Sequence, residues 1–533
     1  MRLAPQRTPD WRLRALGALA GVLTALAAVG GCGQPAARPG GRDSGTAPVD
    51  AGPPPVDAPA QRGDAAPPSD AAAQRTDASA RQDGATRDGA RSQPDAHTAP
   101  VDAAAHDAAR WPDAATPRDA SPPPSDARRD GSADAAPVPP PALCQITIRC
   151  DKAIPNEPKI TCTFSLTDGQ GVTQFDDHAG VELHGRSSLT FPKKNYSIEL
   201  RDATGADKPT DLLQMGKESD WILDGMWADR SLMRNALVFD AFRALGGAHY
   251  AAEGRYCALA LNGKAQGIYR LEEKIKRDDD RVDIAADDGT GKSFVIKQDS
   301  SGAATLSVGD ENHWELVYPN QDKATAAQLA GVQAWLDALG TAFTTPKDPT
   351  AGLLTLLDRD ATVDWMLVEE MMKNIDAYNL SVYFSRDAGA PARLIPWDFD
   401  LSLGQPTVQG DQGVPPNDQP GGWIIHDTNL WRALTAVPDI VQGLGPRWRE
   451  LRAGPLATAA LLARLDGYQV TLTADAVAQN FTIWPLAQIN YNKTYSPYTL
   501  YPVTSYADEV AKLRAFLMAR LAWMDAHIDS YPN

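Results

Sequence analysis

The sequence predicts an α+β fold, with a β-rich N-terminal part, a mainly helical C-terminal part and a disordered tether ahead of both. Three observations predict it. Alternating apolar runs crowd residues 144–299, helical periods dominate from residue 326 onward, and residues 33–141 lack the side chains a core requires. In that tether Leu, Ile, Phe and Tyr are missing and Trp111 is the lone aromatic, so it buries too little apolar surface to offset chain entropy. The expected division is residues 1–31 as a leader, 32–141 as the tether and 142–533 as the folded part. The whole chain has 533 residues, 43% of them hydrophobic, which is ample for a large core. Its formal net charge of −17 argues against nucleic acid as a primary partner, because phosphate binding needs clustered Lys and Arg.

Each element has its own signal. "CQITIRC" (144–150) and "KITCTFSL" (159–166) alternate as strands around a Pro-Asn loop. "GVELHGRSS" (180–188) reads as a strand ending at a Gly turn. In "KKNYSIELRD" (193–202), Tyr196, Ile198 and Leu200 share one face. The run from Ser231 to Gly247 is a helix, with Ser231 as the expected N-cap and Gly246-Gly247 as its stop. "RYCALALNGKAQGIYRLEEKI" is a hairpin about Asn262-Gly263, and "SFVIKQD" (293–299) is a further strand. "AAQLAGVQAWLDALGTAF" and "TVDWMLVEEMMKNI" carry the helical period. "LSVYFSRD" and "ARLIPWDFDLSLG" form a second hairpin-like pair. A Gly/Pro-rich loop spans residues 405–422, and an amphipathic helix capped by Ser505 or Asp508 closes the chain. Cys144, Cys150, Cys162 and Cys257 allow three disulfide pairings, among which the sequence does not choose.

The stretch "LIPWDFDLSLG" (394–404) carries the sharpest chemical signal. Read as a strand, it puts Asp398 and Asp400 on one face and Trp397, Phe399 and Leu401 on the other. Two carboxylates side by side against a core require a cation or a proton between them. The company it keeps is specific. "HGRSSLTFPKKNYSIEL", "GIYRLEEKIKRDDDRVDI", "KNIDAYNLSVYF" and "LIPWDFDLSLG" occur in that order, and together they resemble the signature of the CotH kinases, the spore coat protein H family.

The resemblance covers roughly residues 142–530 and implies a two-lobed, atypical protein-kinase-like fold. It implies phosphorylation of Ser or Thr in a partner protein, using ATP and Mg2+ or Mn2+. It makes Asp376 the catalytic aspartate, which orients or deprotonates the acceptor hydroxyl. Asp398 becomes the principal metal ligand, Asp400 a second, and Asn379 the candidate for a second ion. Lys194, on the inward strand face, is assigned to the ATP phosphates, with Lys193 solvated on the other face. Lys297 is another inward candidate. Glu273, with Glu272 as alternative, is the acid that positions a lysine. Arg186, Ser187 and Ser188 form a turn able to cradle phosphate. Arg234, beside Asn235, is expected to face the cleft.

The N-terminus reads as an export signal. Arg2, Arg7, Arg12 and Arg14 precede an apolar stretch, Ala15 to Val29, and "VGGC" (29–32) resembles a bacterial lipobox. Cleavage before Cys32 and lipidation of its thiol would make an exported lipoprotein of the cell envelope, held to a membrane by its lipid, with the outer membrane or cell surface favoured. A second function class is a non-catalytic surface module that binds polysaccharide or organises an outer layer, suggested by the aromatic-rich "FTIWPLAQINYNKTYSPYTLY" (481–501). A metal-dependent hydrolase lacks any Gly-x-Ser-x-Gly nucleophile.

Overall fold

The computed structural model describes residues 143–247, 249–299, 306–308, 311–407, 415–427, 430–489 and 499–533. The leader, Cys32 and the expected tether lie outside the described residues.

Among the described residues nine strands come first, interrupted by one α-helix between the seventh and the eighth. They are β1 (Cys144–Arg149), β2 (Ile160–Thr167), β3 (Thr173–His184), β4 (Asn195–Arg201), a small hairpin of β5 (Thr210–Asp211) and β6 (Lys217–Glu218), β7 (Asp220–Asp224), β8 (Gly254–Leu261) and β9 (Lys264–Glu273). Seven of them close a barrel in the order β1-β2-β3-β4-β7-β9-β8. All neighbours are antiparallel except β1 and β8, whose parallel pairing closes it. Alternate residues such as Ile146, Phe164, Val181, Ile198, Leu223 and Leu271 fill the interior, which is why the period of two was legible. The β8–β9 turn falls at Asn262-Gly263, both at positive φ (50° and 76°), as predicted. Cys144 lies directly opposite Cys257 across the closing pair and is bonded to it. Cys150 bonds Cys162, so the tertiary structure selects one pairing of the three.

A second sheet, antiparallel throughout, has the order β11-β12-β10-β13-β14. These are β10 (Phe294–Gln298), β11 (Leu306–Val308), β12 (Glu311–Tyr318), β13 (Val382–Arg386) and β14 (Arg393–Ile395). The "SFVIKQD" strand therefore does not join the N-terminal strands beside it in sequence. It pairs with Val382–Arg386, some 85 residues downstream, with Lys297 opposite Tyr383. One face of this sheet, with Phe294, Ile296 and Phe384, packs on the helices in the main core. On the opposite face Val295 and Tyr383 pack with Ile275, Val282, Ile284 and Ile395, and Lys297 lies alongside them.

The helices are α1 (Arg234–Arg243), α2 (Ala326–Thr344), α3 (Arg359–Met372), α4 (Pro438–Arg452), α5 (Thr458–Thr471), α6 (Ala474–Ile483) and α7 (Tyr506–His527). The cap of α1 is not Ser231. The carboxylate of Asp229 takes the amides of Ser231 (2.9 Å) and Arg234 (2.8 Å), reaching the helix start from outside it. Of the two caps expected for α7, Ser505 is the one observed, accepting from the Asp508 amide. Among the described residues no helix is long and apolar enough to cross a membrane.

Candidate active site

The strand predicted for residues 394–404 stops at Ile395. Asp398 lies in a left-handed turn at φ 63°, so alternation does not bring Asp398 and Asp400 together. The turn does, and Phe399 and Leu401 do not share a face but enter two different apolar clusters. Several segments pin it. Asn235, at the start of α1, accepts the Phe399 amide (2.7 Å) and donates to Asp224 at the end of β7 (3.3 Å). Ser381 donates to Asp398 (3.4 Å), and the Gln405 amide holds the Asp400 carbonyl (2.7 Å). Asp376 arrives from the end of α3, where Lys373 turns left-handed at φ 47°. Asn374 fixes it, accepting the Asp376 amide (3.2 Å) and reaching the Asp398 carbonyl (3.5 Å).

The electrostatics show how crowded this corner is. Burial pushes Asp376 up to about 7, with Asp398 and then Asp299 adding to the rise. Burial likewise lifts Asp398 to about 6, helped by Asp224 and Asp299 and eased by hydrogen bonds from Asp400 and Ser381. Asp400 is lifted well above the carboxylate range by burial, then by Asp398 and Asp224. Glu272 rises to about 8 through burial, although Arg270 donates to it at 2.6 Å, and Asp224 and Asp398 add repulsion. Asp376, Asp398 and Asp400 all keep partial access to solvent. Hard oxygen donors with surplus negative charge suit a divalent cation, and a shared proton is what this chain alone offers them. Among the described residues no group of three or more His, Cys, Asp or Glu is set to hold an ion by itself. Mg2+ commonly takes only one or two carboxylates, with phosphates and water completing its shell, so the donor set fits.

The expected cations sit differently. Lys194 is tied to the Leu189 carbonyl (2.5 Å) and braces the turn after β3. Lys193, expected in solvent, is buried instead, donating to the Ile268 carbonyl (2.5 Å) and Asn480 (3.0 Å), and burial brings it down to about 7. Lys297 does face the barrel, paired with Asp299 and Glu315 at 3.0 Å each. Arg186 reaches the same Glu315 (2.9 Å), so its turn borders Lys297. In that turn Ser188 donates to the His184 carbonyl (3.2 Å), and Ser187 accepts from Thr190 through its carbonyl (2.7 Å).

Three expectations fail on geometry. Glu273 meets no lysine; it accepts from Tyr250 and the Glu253 amide beside Arg281, because alternation turns it away from the acids and turns Glu272 toward them. Arg234 does not face the cleft. It is fully buried, with its guanidinium bonded to Asp229, Glu509, Tyr501 and the Ser402 carbonyl. Asn379 stands exposed, whereas Asn374, five residues earlier, is the buried asparagine between the acids.

Sequence reasoning also missed Asp224, the last residue of β7, which binds Asn235 and the Met226 amide and whose charge raises Asp398. A cavity of about 710 Å3 lies elsewhere, at the N-terminal end of α3 around His249, Asp364 and Arg447, and holds none of these acids. Of the aromatic stretch, Phe481 packs on Tyr506 and Trp484 on Trp227, both as internal contacts. Residues 490–498 of it lie outside the described residues.

The family model for CotH kinase protein matches residues 181–524, well over half the chain and every residue of the acidic corner. No curated protein matches the chain.

Proposed function

Because the chain belongs to the CotH kinase family, we propose that it is an ATP-dependent protein kinase acting on Ser or Thr of a partner protein with Mg2+ or Mn2+. The observation that carries this reading is the meeting of Asp376, Asp398 and Asp400 in one partly open corner, each lifted by burial and by its neighbours. In it, the barrel serves as the nucleotide-side lobe of a two-lobed arrangement and the helical part as the other.

Asp398, backed by Asp400, would hold the metal ion, which when bound supplies positive charge to the transferring phosphoryl group. Asp376 accepts the proton of the acceptor hydroxyl; its affinity for protons, raised to about 7, matches that task near neutral pH. Lys297 supplies fixed positive charge. Burial opposes that charge, but Tyr383, Asp299 and Glu315 outweigh it and raise the ammonium's pKa. Glu272 and Asp224 line the barrel side, and Asn235 couples that wall to the Asp398 turn.

In this reading the protein works outside the cytoplasm, as a lipoprotein carried on Cys32 in the outer membrane or at the cell surface. The Arg-rich leader and "VGGC" support export, and so do the two disulfides, which persist in oxidising compartments.

The test is label transfer from γ-labelled ATP, with Mg2+ or Mn2+, to the protein itself and to added acceptor proteins. Wild type is expected to transfer label, and Asp376→Ala and Asp398→Ala to lose at least a hundredfold while keeping native near-UV circular dichroism. Equal transfer by both variants would sink the assignment.

A further inference from the structure

The last turn of α3 is gripped by chain that returns to it. Just beyond the acids, the Leu403 amide donates to the Met372 carbonyl (2.7 Å), which ties the segment carrying Asp398 and Asp400 to that turn. Residues 415–425 then come back to the same place. Glu370 accepts the amides of Ile424 (2.7 Å) and Ile425 (3.0 Å). Arg520 of α7, fully buried, donates to the carbonyls of Pro420 (2.7 Å), Gly422 (2.6 Å) and Glu370 (2.8 Å). Lys373 completes the grip. Its ammonium donates to the carbonyls of Gln419 and Gly421 (2.7 Å each), Pro416 (3.1 Å) and Pro415 (3.3 Å).

Lysine is an unexpected residue at this position. It ends α3 at φ 47°, where glycine would meet no steric penalty. It is also fully buried, and an ammonium out of water is costly unless its three N–H groups find acceptors. The site therefore carries a strained backbone and a buried charge together, a combination that persists where the surroundings over-determine it. In return the side chain makes a fixed joint. The next residue, Asn374, accepts the Asp376 amide (3.2 Å) and reaches the Asp398 carbonyl (3.5 Å). One turn thus connects residues 415–421 to both aspartates.

We propose that Lys373 is a positioning residue for Asp376: by clamping residues 415–421 to the end of α3, it fixes where that carboxylate stands relative to Asp398. Its effect on turnover rests on the kinase reading; the clamp itself does not. A base takes a proton only from within hydrogen-bond reach, and a misplacement of about 1 Å costs about a hundredfold in rate. Loosening the joint lowers turnover and leaves binding of the metal–nucleotide complex, which Asp398 and the barrel side carry, in place.

The variants are Lys373→Met, which removes the ammonium at similar length, and Lys373→Gly, which also relieves the backbone. In the whole protein each is measured for label transfer from γ-labelled ATP, for binding of Mn2+ with ATP by titration calorimetry, and for amide hydrogen exchange by mass spectrometry. Both are expected to lose at least tenfold in kcat, with KM for ATP and the calorimetric affinity within twofold of wild type. Both are expected to exchange at least tenfold faster in residues 417–422 and in 374–377 together. A residue that serves only folding would weaken nucleotide binding along with kcat, or cost both variants their native near-UV circular dichroism; either result overturns the proposal. Wild-type kcat in Lys373→Gly would make the backbone turn, not the ammonium, the feature that matters, and overturns it too. So does faster exchange confined to 417–422, since the clamp would then not reach Asp376. A wild type that neither binds nucleotide nor transfers label removes the kinase, and the joint exchange of the two segments still decides the clamp.

Discussion

Asp376 is a carboxylate held where burial and two further acids oppose its charge, and that has a measurable sign. Its folded-state pKa of about 7 lies above the ordinary 3.8, so the folded protein binds the extra proton between those values and the unfolded chain does not. The group therefore costs no stability below about pH 4, costs progressively more up to about pH 7, and no more beyond. Asp376→Asn in EDTA is expected to melt higher than wild type, with a gap that opens between pH 4 and 7 and then stays constant. Scanning calorimetry across that range checks it, and a wild type more stable than the variant at pH 8 would mean the carboxylate has a favourable partner. Part of this chemistry was legible: "WDFD" announced two acids that needed a counter-charge, while Asp376 in "NID" stood out only through the family resemblance. Lys297 was among the lysines expected inward, but its separation from Lys194, which braces a turn, and from Lys193, which is buried, waited on the strand register.

Elements explain the misassignments. Alternation works along β1 to β4, where each strand has two neighbours, and it fails at "LIPWDFDLSLG" because only Arg393–Ile395 pairs with β13. Beyond Ile395 the backbone follows side-chain anchors, Asn235 and Gln405, supplied from elsewhere in the chain. Arg234 is the other case. As one residue of a helix start it resembled a ligand; as observed, it joins α1 to α7 through Glu509 (2.9 Å) and to the Asp229 cap (2.6 Å). Breaking a buried charge network leaves its carboxylates unpaired, so Arg234→Ala is expected to lose about 3–5 kcal/mol in urea unfolding. A loss below about 1 kcal/mol would mean that the network stabilises nothing.

At the scale of the molecule, the barrel depends on one parallel contact, β1 with β8, between segments 113 residues apart. The Cys144–Cys257 bond crosses that seam. Closing so long a loop removes much entropy from the unfolded chain, so the Cys144→Ser, Cys257→Ser double variant is expected to lose about 2–5 kcal/mol. Losing Cys150–Cys162, which spans only 12 residues, is expected to cost less. Chemical denaturation of the two variants decides the order, and an equal loss would argue against the loop-length account.

By itself the sequence determined the α+β class, the barrel strands other than β7, the hairpin at Asn262-Gly263, a cap for the last helix at Ser505 or Asp508, and the pair Asp398 and Asp400. These depend on local periodicity, on turn chemistry or on residue types whose charge is hard to bury, whereas Asp376 was singled out by the family resemblance. Only the tertiary structure decided that β10 leaves the barrel for the second sheet, that Arg234 is internal, and that Asn374 and Glu272 stand where Asn379 and Glu273 were expected. Those choices turn on contacts between segments tens to hundreds of residues apart, and a one-residue change of register sends a side chain to the opposite face.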